Sequence, residues 1–230
     1  MDAPIMDLDK ALDILGARGW FAERSAETRA RLSKIARLCR FEKDDSVYLA
    51  GDPPNGVFGL ISGSLDISIP RADGEEYTVH RASTGFWVGD LALFSQGGRL
   101  VSVCTAEPTL MVQFPALALK RLVDKDARLY ADFYALTYEN FRTAFQIISN
   151  LAIAGTDKRL ADRLLLEVER RGDADGWISV SQAELASLTA VSLPTLKRVL
   201  RRFADAGHID HGYARIQVLD RDALRRICRD

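Results

Sequence analysis

Four basic side chains occur close together near the C-terminal end of the sequence. They recur at helical spacing, and the segment 192–204 that contains Lys197, Arg198, Arg201 and Arg202 has no acidic residue. Guanidinium and ammonium groups pair with phosphate oxygens, and an arginine can also donate two hydrogen bonds to one guanine base. The segment therefore predicts recognition of nucleic acid, although the 230-residue chain has a formal net charge of only -1 at pH 7.

Catalytic chemistry is not indicated by the residue pattern. No paired carboxylates, no Cys–His pair and no Ser–His–Asp arrangement stands out, and Gly89-Asp90 does not resemble a phosphate-transfer loop. The three cysteines are far apart and lack Cys-x-x-Cys spacing, which argues against a structural metal site: Cys39, Cys104 and Cys228. We expect a protein that is not an enzyme.

The basic segment lies on the second of two predicted helices. A short helix over residues 183–188 follows Ser181, a candidate N-cap, and a second helix begins after Ser192 and ends before Gly207. Its apolar residues recur on the side opposite the basic residues, at Leu196, Val199, Leu200 and Phe203. Two helices joined by a tight turn form a helix-turn-helix, whose second helix lies in the DNA major groove. The alternative is a basic face that is merely solvated.

Two short strands are predicted directly after the basic helix. Residues 209–218 alternate around a His211-Gly212 turn, which is typical of the wing of a winged helix-turn-helix. The predicted DNA-binding residues all belong to the helix-turn-helix: Ser181, Ser192, Thr195, Lys197, Arg198, Arg201 and Arg202. Double-stranded DNA is therefore the expected partner.

The N-terminal half of the sequence predicts a β-rich domain. Two short helices are expected between Asp7 and Cys39, the second over residues 27–38, and short strands separated by turn residues extend from Phe41 to Phe114. The clearest hairpin joins residues 57–61 to residues 65–69 through Ser62-Gly63. Short strands separated by turn residues at such regular intervals indicate an antiparallel sandwich or barrel.

A long helix is expected between the two domains, because no proline or glycine occurs between Pro115 and Ala154. Its apolar residues alternate at spacings of three and four, and we call five of them the seam: Tyr134, Tyr138, Phe141, Phe145 and Ile148. A heptad pattern of this length favours a partner helix from a second copy of the chain. The alternative is that the seam packs against its own β-domain, a role that Leu129, Phe133 and Leu136 could fill instead.

Taken in order, these elements resemble the CRP/FNR family over nearly the whole chain. The resemblance is carried by Leu60-Ile61-Ser62-Gly63-Ser64-Leu65, by Gly89-Asp90-Leu91-Ala92-Leu93, by the seam helix and by the winged C-terminal domain. It implies an α+β homodimer with a cyclic-nucleotide-binding-like β-roll over residues 1–114, a dimerisation helix over 115–154 and a DNA-binding domain over 155–230. RNA polymerase is a further partner that the resemblance suggests.

The family's effector pocket is altered in this sequence. The resemblance places Gly89, Asp90, Leu91, Arg99 and Phe145 at that pocket, but Leu100 and Val101 follow Arg99 where cyclic-nucleotide binders have a hydroxyl residue and alanine. Cyclic AMP or cyclic GMP is thus a minority candidate, and control without an effector or by a protein partner is the alternative. Grouped cysteines and a histidine near the dimer helix are missing, so neither an iron–sulfur cluster nor haem is expected.

The recognition helix also departs from the family. Leu193 and Pro194 occupy positions where members often have Arg and Glu, and neither can form a hydrogen bond to a base edge with its side chain. Arg198 matches the family's base-contacting arginine, so we expect it to read the DNA sequence. Because no apolar run approaches the roughly 20 residues that span a bilayer, a cytoplasmic protein without membrane contact is expected.

Overall fold

The computed structural model describes residues 6–95, 97–153, 155–171, 175–212 and 215–229, with backbone alone at 150, 151, 170, 171, 184 and 187. The chain forms two compact units, 1–143 and 144–230, which we call the N-terminal and the C-terminal unit. The division falls inside the long helix. The domain boundary expected near residue 155 stays a prediction, and residue 154 lies outside the described residues.

Two short helices open the N-terminal unit. Helix α1 (Leu8–Gly16) is capped by Asp7, and α2 (Ala26–Ser33) is capped by Ser25, with a 3-10 helix (Trp20–Glu23) between them. The second helix is shorter than predicted, because strand β1 (Arg37–Phe41) already includes Leu38 and Cys39. The backbone of β1 pairs with residues 109–113, and this pairing makes Leu38 and Cys39 extended although the apolar spacing there predicted a helix.

The β-roll consists of two four-stranded antiparallel sheets within the described residues. The strands that follow β1 are β2 (Ser46–Tyr48), β3 (Gly56–Ser62), β4 (Leu65–Pro70), β5 (Glu76–Ala82), β6 (Trp87–Val88), β7 (Ser102–Thr105) and β8 (Thr109–Pro115). A short helix, α3 (Asp90–Ser95), follows β6. One sheet has the order β1-β8-β3-β6 and the other has the order β2-β7-β4-β5.

The predicted hairpin between residues 57–61 and 65–69 is wrong. Strands β3 and β4 belong to different sheets: β3 pairs with β6 and β8, and β4 pairs with β5 and β7. Gly63 between them has φ +89°, and a Cβ there would lie 2.7 Å from the carbonyl oxygen of Pro108. The Ser62-Gly63 turn therefore carries the chain from one sheet to the other instead of folding it back.

Two helices follow the roll, and the second is the long helix that the sequence predicted. Helix α4 (Ala116–Lys125) is short and α5 (Leu129–Ala152) is long. The predicted inward stripe is confirmed, because Leu129, Phe133 and Leu136 are buried in the core of the N-terminal unit. The Phe133 ring lies 5.3 Å from the Trp20 ring, centroid to centroid, which fixes the start of α5 on the roll through aromatic packing.

The seam residues lie on the surface of the chain. Their exposed fractions are 73% for Tyr134, 61% for Tyr138, 48% for Phe141, 65% for Phe145 and 59% for Ile148. In the N-terminal unit, the first three therefore do not pack into the roll, which contradicts the alternative of an inward-facing seam. A row of large exposed apolar side chains is the pattern of an interaction surface.

The C-terminal unit is a small winged-helix domain. A three-stranded sheet of order β10-β11-β9 packs with its helices around one apolar core. The sequence missed β9 and the last helix, and His211-Gly212 belongs to β10 instead of forming the turn; residues 213 and 214 lie outside the described residues. The elements are α6 (Thr156–Arg171), β9 (Trp177–Ser179), α7 (Gln182–Leu188), α8 (Leu193–Asp205), β10 (Ile209–Gly212), β11 (Arg215–Val218) and α9 (Arg221–Arg229).

Candidate nucleic-acid interface and effector pocket

Helix α8 is anchored by its apolar side and by its first turn. Leu196, Val199, Leu200 and Phe203 are at most 3% exposed and contribute to the core of the C-terminal unit. At the start of the helix, the Ser192 hydroxyl accepts a hydrogen bond from the Thr195 backbone N–H at 3.3 Å, so the N-cap predicted from the sequence is present. The orientation of the opposite side of α8 is thereby set.

The turn that joins α7 to α8 contains a feature that the sequence analysis missed. Ala190 has φ +52°, in the left-handed region that is costly for a residue with a Cβ. Thr189 beside it is fully buried, and its hydroxyl donates to the Leu185 carbonyl at 2.8 Å, while the Val191 N–H donates to the Ala186 carbonyl. These bonds hold the tight turn and thus the angle between the two helices.

The outer side of α8 carries the predicted basic residues. Lys197, Arg198, Arg201 and Arg202 are all exposed. The side chains of Lys197 and Arg198 make no hydrogen bond or ion pair with any described residue. Arg201 lies 4.0 Å from Asp205, and Arg202 pairs with Asp157 at the start of α6. The structure therefore leaves Lys197 and Arg198 available to an outside partner and engages Arg202 within the domain.

The remaining predicted DNA-binding residues lie at the starts of α7 and α8. Thr195 is half-buried in the first turn of α8, and its hydroxyl oxygen accepts from the Ser192 hydroxyl at 2.9 Å. Ser181 is exposed just before α7, and its carbonyl accepts from the Leu185 N–H. Backbone and hydroxyl donors at helix starts are common phosphate contacts in protein–DNA interfaces.

The wing carries a further exposed basic residue. The Arg215 guanidinium at the start of β11 lies 4.2 Å from the centre of the Trp177 ring on β9, a cation–π arrangement. Arg215 is exposed, so the tryptophan supports a positive charge on the wing. This pair was not predicted, because strand β9 was not predicted either; a tryptophan between turn residues was the available signal in the sequence.

In the N-terminal unit, Arg99 points into the protein. Only 4% of it is exposed, and its guanidinium donates to the carbonyls of Gly89 at 2.7 Å and Gly56 at 2.8 Å and to the Asn55 side chain at 2.7 Å. It also lies 4.0 Å from the centre of the Tyr48 ring. Burial lowers the pKa of Arg99 and raises that of Tyr48. Arg99 therefore stabilises the interior of the roll by hydrogen bonds to these three residues.

Asp90 is similarly engaged. It is 2% exposed, and its two carboxylate oxygens accept from the Thr137 hydroxyl at 2.5 Å and from the Asn140 side-chain amide at 2.9 Å. Burial raises its pKa, and these hydrogen bonds oppose the rise. Thr137 and Asn140 lie on α5, so Asp90 ties α3 to the seam helix. Nothing in the sequence near Asp90 signalled these partners, which lie about fifty residues away.

The other predicted pocket residues are Leu91, Gly89 and Phe145. Leu91 is 37% exposed, and Gly89 has φ +101°. A Cβ at Gly89 would lie 2.6 Å from the Gly56 carbonyl oxygen and 2.7 Å from an Arg99 guanidinium nitrogen, so the backbone approach is close. Phe145 belongs to the C-terminal unit, and its role at the pocket stays a prediction.

The polar groups of Arg99 and Asp90 are largely engaged within the protein, which differs from the open cyclic-nucleotide site that the resemblance implied. A cyclic phosphate is bound through arginine donors, and both terminal nitrogens of Arg99 donate to the protein's own oxygens, while its buried Nε has no hydrogen-bond partner among the described residues. A ribose hydroxyl is bound through a carboxylate oxygen, and each oxygen of Asp90 already accepts one hydrogen bond from α5. Leu100, next to Arg99, is 68% exposed and has no hydroxyl to offer.

The described residues show neither a metal site nor a membrane span. No group of three or more His, Cys, Asp or Glu side chains within this part of the chain could hold a metal ion. No helix built from these residues is both long and apolar enough to cross a bilayer.

A basic recognition helix beside a wing, with a β-roll in the other unit, defines a DNA-binding protein with a regulatory domain. Comparison with known families agrees in both halves: the cyclic nucleotide-binding domain model matches residues 38–126, and the Crp-like helix-turn-helix domain model matches residues 158–227. The chain belongs to the CRP/FNR family of DNA-binding transcription regulators, which are not enzymes. The predicted fold class and family are confirmed.

Relatives in this family are similar over most of the chain. The CRP-like cAMP-activated global transcriptional regulator of Mycobacterium tuberculosis is 23% identical over 222 residues, 94% of this chain and 99% of the relative. FixK2 of Bradyrhizobium japonicum shares the fold with a TM-score of 0.61 at 19% identity, over 84% of this chain and 97% of that one. The c-di-GMP responsive regulator CLP of Xanthomonas campestris has a TM-score of 0.57 at 24% identity, over 84% and 99%.

Proposed function

We propose that the chain acts as a homodimer that binds a two-fold symmetric DNA site and reads each half-site chiefly through Arg198. The observation that carries this proposal is the exposed Arg198 side chain, which has no partner among the described residues, on a helix whose other side is locked into a core. A guanidinium presented in this way can donate two hydrogen bonds to O6 and N7 of a guanine in the major groove.

The other basic and hydroxyl residues position the domain on the DNA backbone. Lys197, Arg201 and Arg202 contact phosphates in this proposal, which makes affinity depend on salt. Ser181, Ser192 and Thr195 add hydroxyl contacts at the starts of α7 and α8. Arg202 must exchange its ion pair with Asp157 for a phosphate, so its share is smaller than that of Lys197.

The dimer forms through the seam of α5. Five large side chains, each about half exposed or more, recur there at heptad spacing, and burying them against a symmetric copy removes apolar surface from water. Half-sites then lie about one helical turn apart, or roughly 34–36 Å, on the same side of the duplex. RNA polymerase beside such a site is a further proposed partner, and a cytoplasmic location is proposed with it.

A charge introduced into the seam tests the dimer. Sedimentation of the full chain should show a dimer, and Tyr138→Glu should sediment as a monomer with at least tenfold weaker DNA binding. The matched control is Leu117→Glu, because Leu117 is 64% exposed on α4 and lies outside the seam. A Tyr138→Glu chain that remains a dimer would contradict the proposed interface.

We also propose that cyclic AMP and cyclic GMP do not control this chain, since both terminal nitrogens of Arg99 and both carboxylate oxygens of Asp90 form hydrogen bonds within the N-terminal unit. The relative from Mycobacterium tuberculosis is described as cAMP-activated and CLP as c-di-GMP responsive, so effectors differ among proteins of this fold. Melting curves with millimolar cyclic AMP or cyclic GMP should be unshifted, because only a ligand that binds the native state raises the melting temperature. A dose-dependent rise would overturn this part of the proposal.

A further inference from the structure

The first turn of α8 presents an apolar surface where the helix enters the groove. Leu193 is 37% exposed and Pro194 is exposed, and they precede Lys197 and Arg198 by one helical turn. Residues four apart on a helix share a side, so these two apolar residues and the two basic residues form one continuous outer surface. In a helix-turn-helix, the N-terminal residues of this helix lie nearest the bases.

An apolar side chain in the major groove discriminates between base pairs. Base edges there present hydrogen-bond donors, acceptors and one methyl group, the C5-methyl of thymine. Leucine or proline over a G·C pair would dehydrate polar groups on the base edges without replacing their hydrogen bonds, which is unfavourable. The same side chains over a thymine methyl would bury two apolar surfaces against each other.

We infer that Leu193 and Pro194 select a thymine in each half-site by contact with its C5-methyl group, beside the guanine that Arg198 reads. One helical turn rises 5.4 Å, and base pairs are 3.4 Å apart, so the thymine lies about one or two base pairs from that guanine. Ser192 supports the contact because its N-cap bond to Thr195 holds the first turn in place.

This inference rests on the proposed mode of DNA binding, and its test separates the two. A high-affinity duplex is first selected in vitro with the full chain, and each half-site thymine is then replaced by deoxyuridine, which lacks only the C5-methyl group. Replacement of one particular thymine should weaken binding by about fourfold per half-site, the value of one buried methyl group. Replacement of the remaining thymines should have little effect.

Protein variants assign the methyl contact to the helix. Leu193→Ala combined with Pro194→Ala should bind the thymine and deoxyuridine duplexes with nearly equal affinity. Leu219→Ala is the matched control, because Leu219 is 55% exposed in the same unit but lies outside α8, and it should keep the fourfold difference. Melting curves of both variants check that the fold is unchanged.

Three outcomes would overturn the inference while leaving the DNA-binding proposal intact. These are a selected half-site without thymine beside the guanine, equal binding of every deoxyuridine duplex by the unmodified chain, and a thymine preference that persists when Leu193→Ala and Pro194→Ala are combined. If no duplex binds in a manner that depends on Arg198, the proposed function itself fails, and the inference falls with it.

Discussion

Arg198 and Arg99 carry the same guanidinium group but occupy opposite environments. Arg198 lies on the outer side of α8, and its side chain has no hydrogen bond or ion pair within the described part of the chain. Arg99 is 4% exposed and donates to Gly89, Gly56 and Asn55. The first arginine can bind an outside partner, and the second stabilises its own domain. A residue type that matches a family's binding site is therefore not evidence of binding until its hydrogen bonds are known.

The largest effect is expected at Arg198. Arg198→Ala should weaken binding to the selected duplex by about 2–6 kcal/mol for two half-sites, at about 1–3 kcal/mol per arginine–guanine contact. Stability should change by less than about 0.5 kcal/mol, as is usual for a surface substitution. Equilibrium titrations with specific and scrambled duplexes measure the effect.

The control for Arg198 is Arg225→Ala, because Arg225 is an exposed arginine on α9 that pairs with Asp222. This variant should bind both duplexes as the unmodified chain does. If Arg198→Ala loses equal affinity for the specific and scrambled duplexes, the residue contacts phosphate and does not read sequence.

Arg99 should behave in the opposite way. Arg99→Ala removes the donor to the buried Gly56 carbonyl and to the half-buried Gly89 carbonyl, which should lower the free energy of unfolding of the roll by about 2–4 kcal/mol. Arg99→Lys keeps the charge but not the forked donor geometry, so it should lose somewhat less. Denaturant titrations measure both. An Arg99→Ala chain of unchanged stability would mean that the guanidinium is not engaged as described.

Lys197 should affect the salt dependence of binding more than its sequence preference. Lys197→Ala removes one proposed phosphate contact per half-site, so the slope of log affinity against log salt should become shallower by about 0.9 for each half-site. Specific and scrambled duplexes should lose similar affinity, about 1 kcal/mol per half-site. A loss confined to the specific duplex would assign Lys197 to base reading instead.

The smallest effect is expected for Asp90, and it is seen only when stability is compared at different pH values. Burial raises the pKa of Asp90 in the folded chain, so the unfolded chain loses this proton at lower pH than the folded chain does. The contribution of this group to stability therefore falls as pH rises through the interval from its ordinary pKa to the raised one. Denaturant titrations from about pH 4 to pH 7 should show the unmodified chain losing stability relative to Asp90→Asn. A difference that stays constant with pH would contradict this.

Local periodicity was sufficient to predict the buried side of α8 and the inward stripe of α5. In each, the apolar residues recur on one side of a single element, so the pattern reports burial directly. The same reasoning located Ser192 as an N-cap, because that contact spans only three residues. The sequence thus predicted the parts of the fold and of the candidate interface that depend on contacts between residues close together in the chain.

Contacts between distant residues were not available. The Ser62-Gly63 turn has a typical hairpin sequence, but pairing of β3 with β6 and β8 determines its direction. Arg99 and Asp90 were placed at an open pocket, whereas their partners include Asn55, which is 44 residues from Arg99, and Thr137, which is 47 residues from Asp90. Only the folded chain shows which polar groups satisfy one another.

The central claim is that Arg198 reads a guanine in each of two half-sites on one face of the duplex. Methylation interference tests it most directly, because a methyl group on guanine N7 blocks the acceptor that a forked arginine requires. The account predicts strong interference at one guanine per half-site, about one helical turn apart, with none at those guanines for the residual binding of Arg198→Ala. Interference at the same guanines with Arg198→Ala, or at a single guanine only, would contradict it.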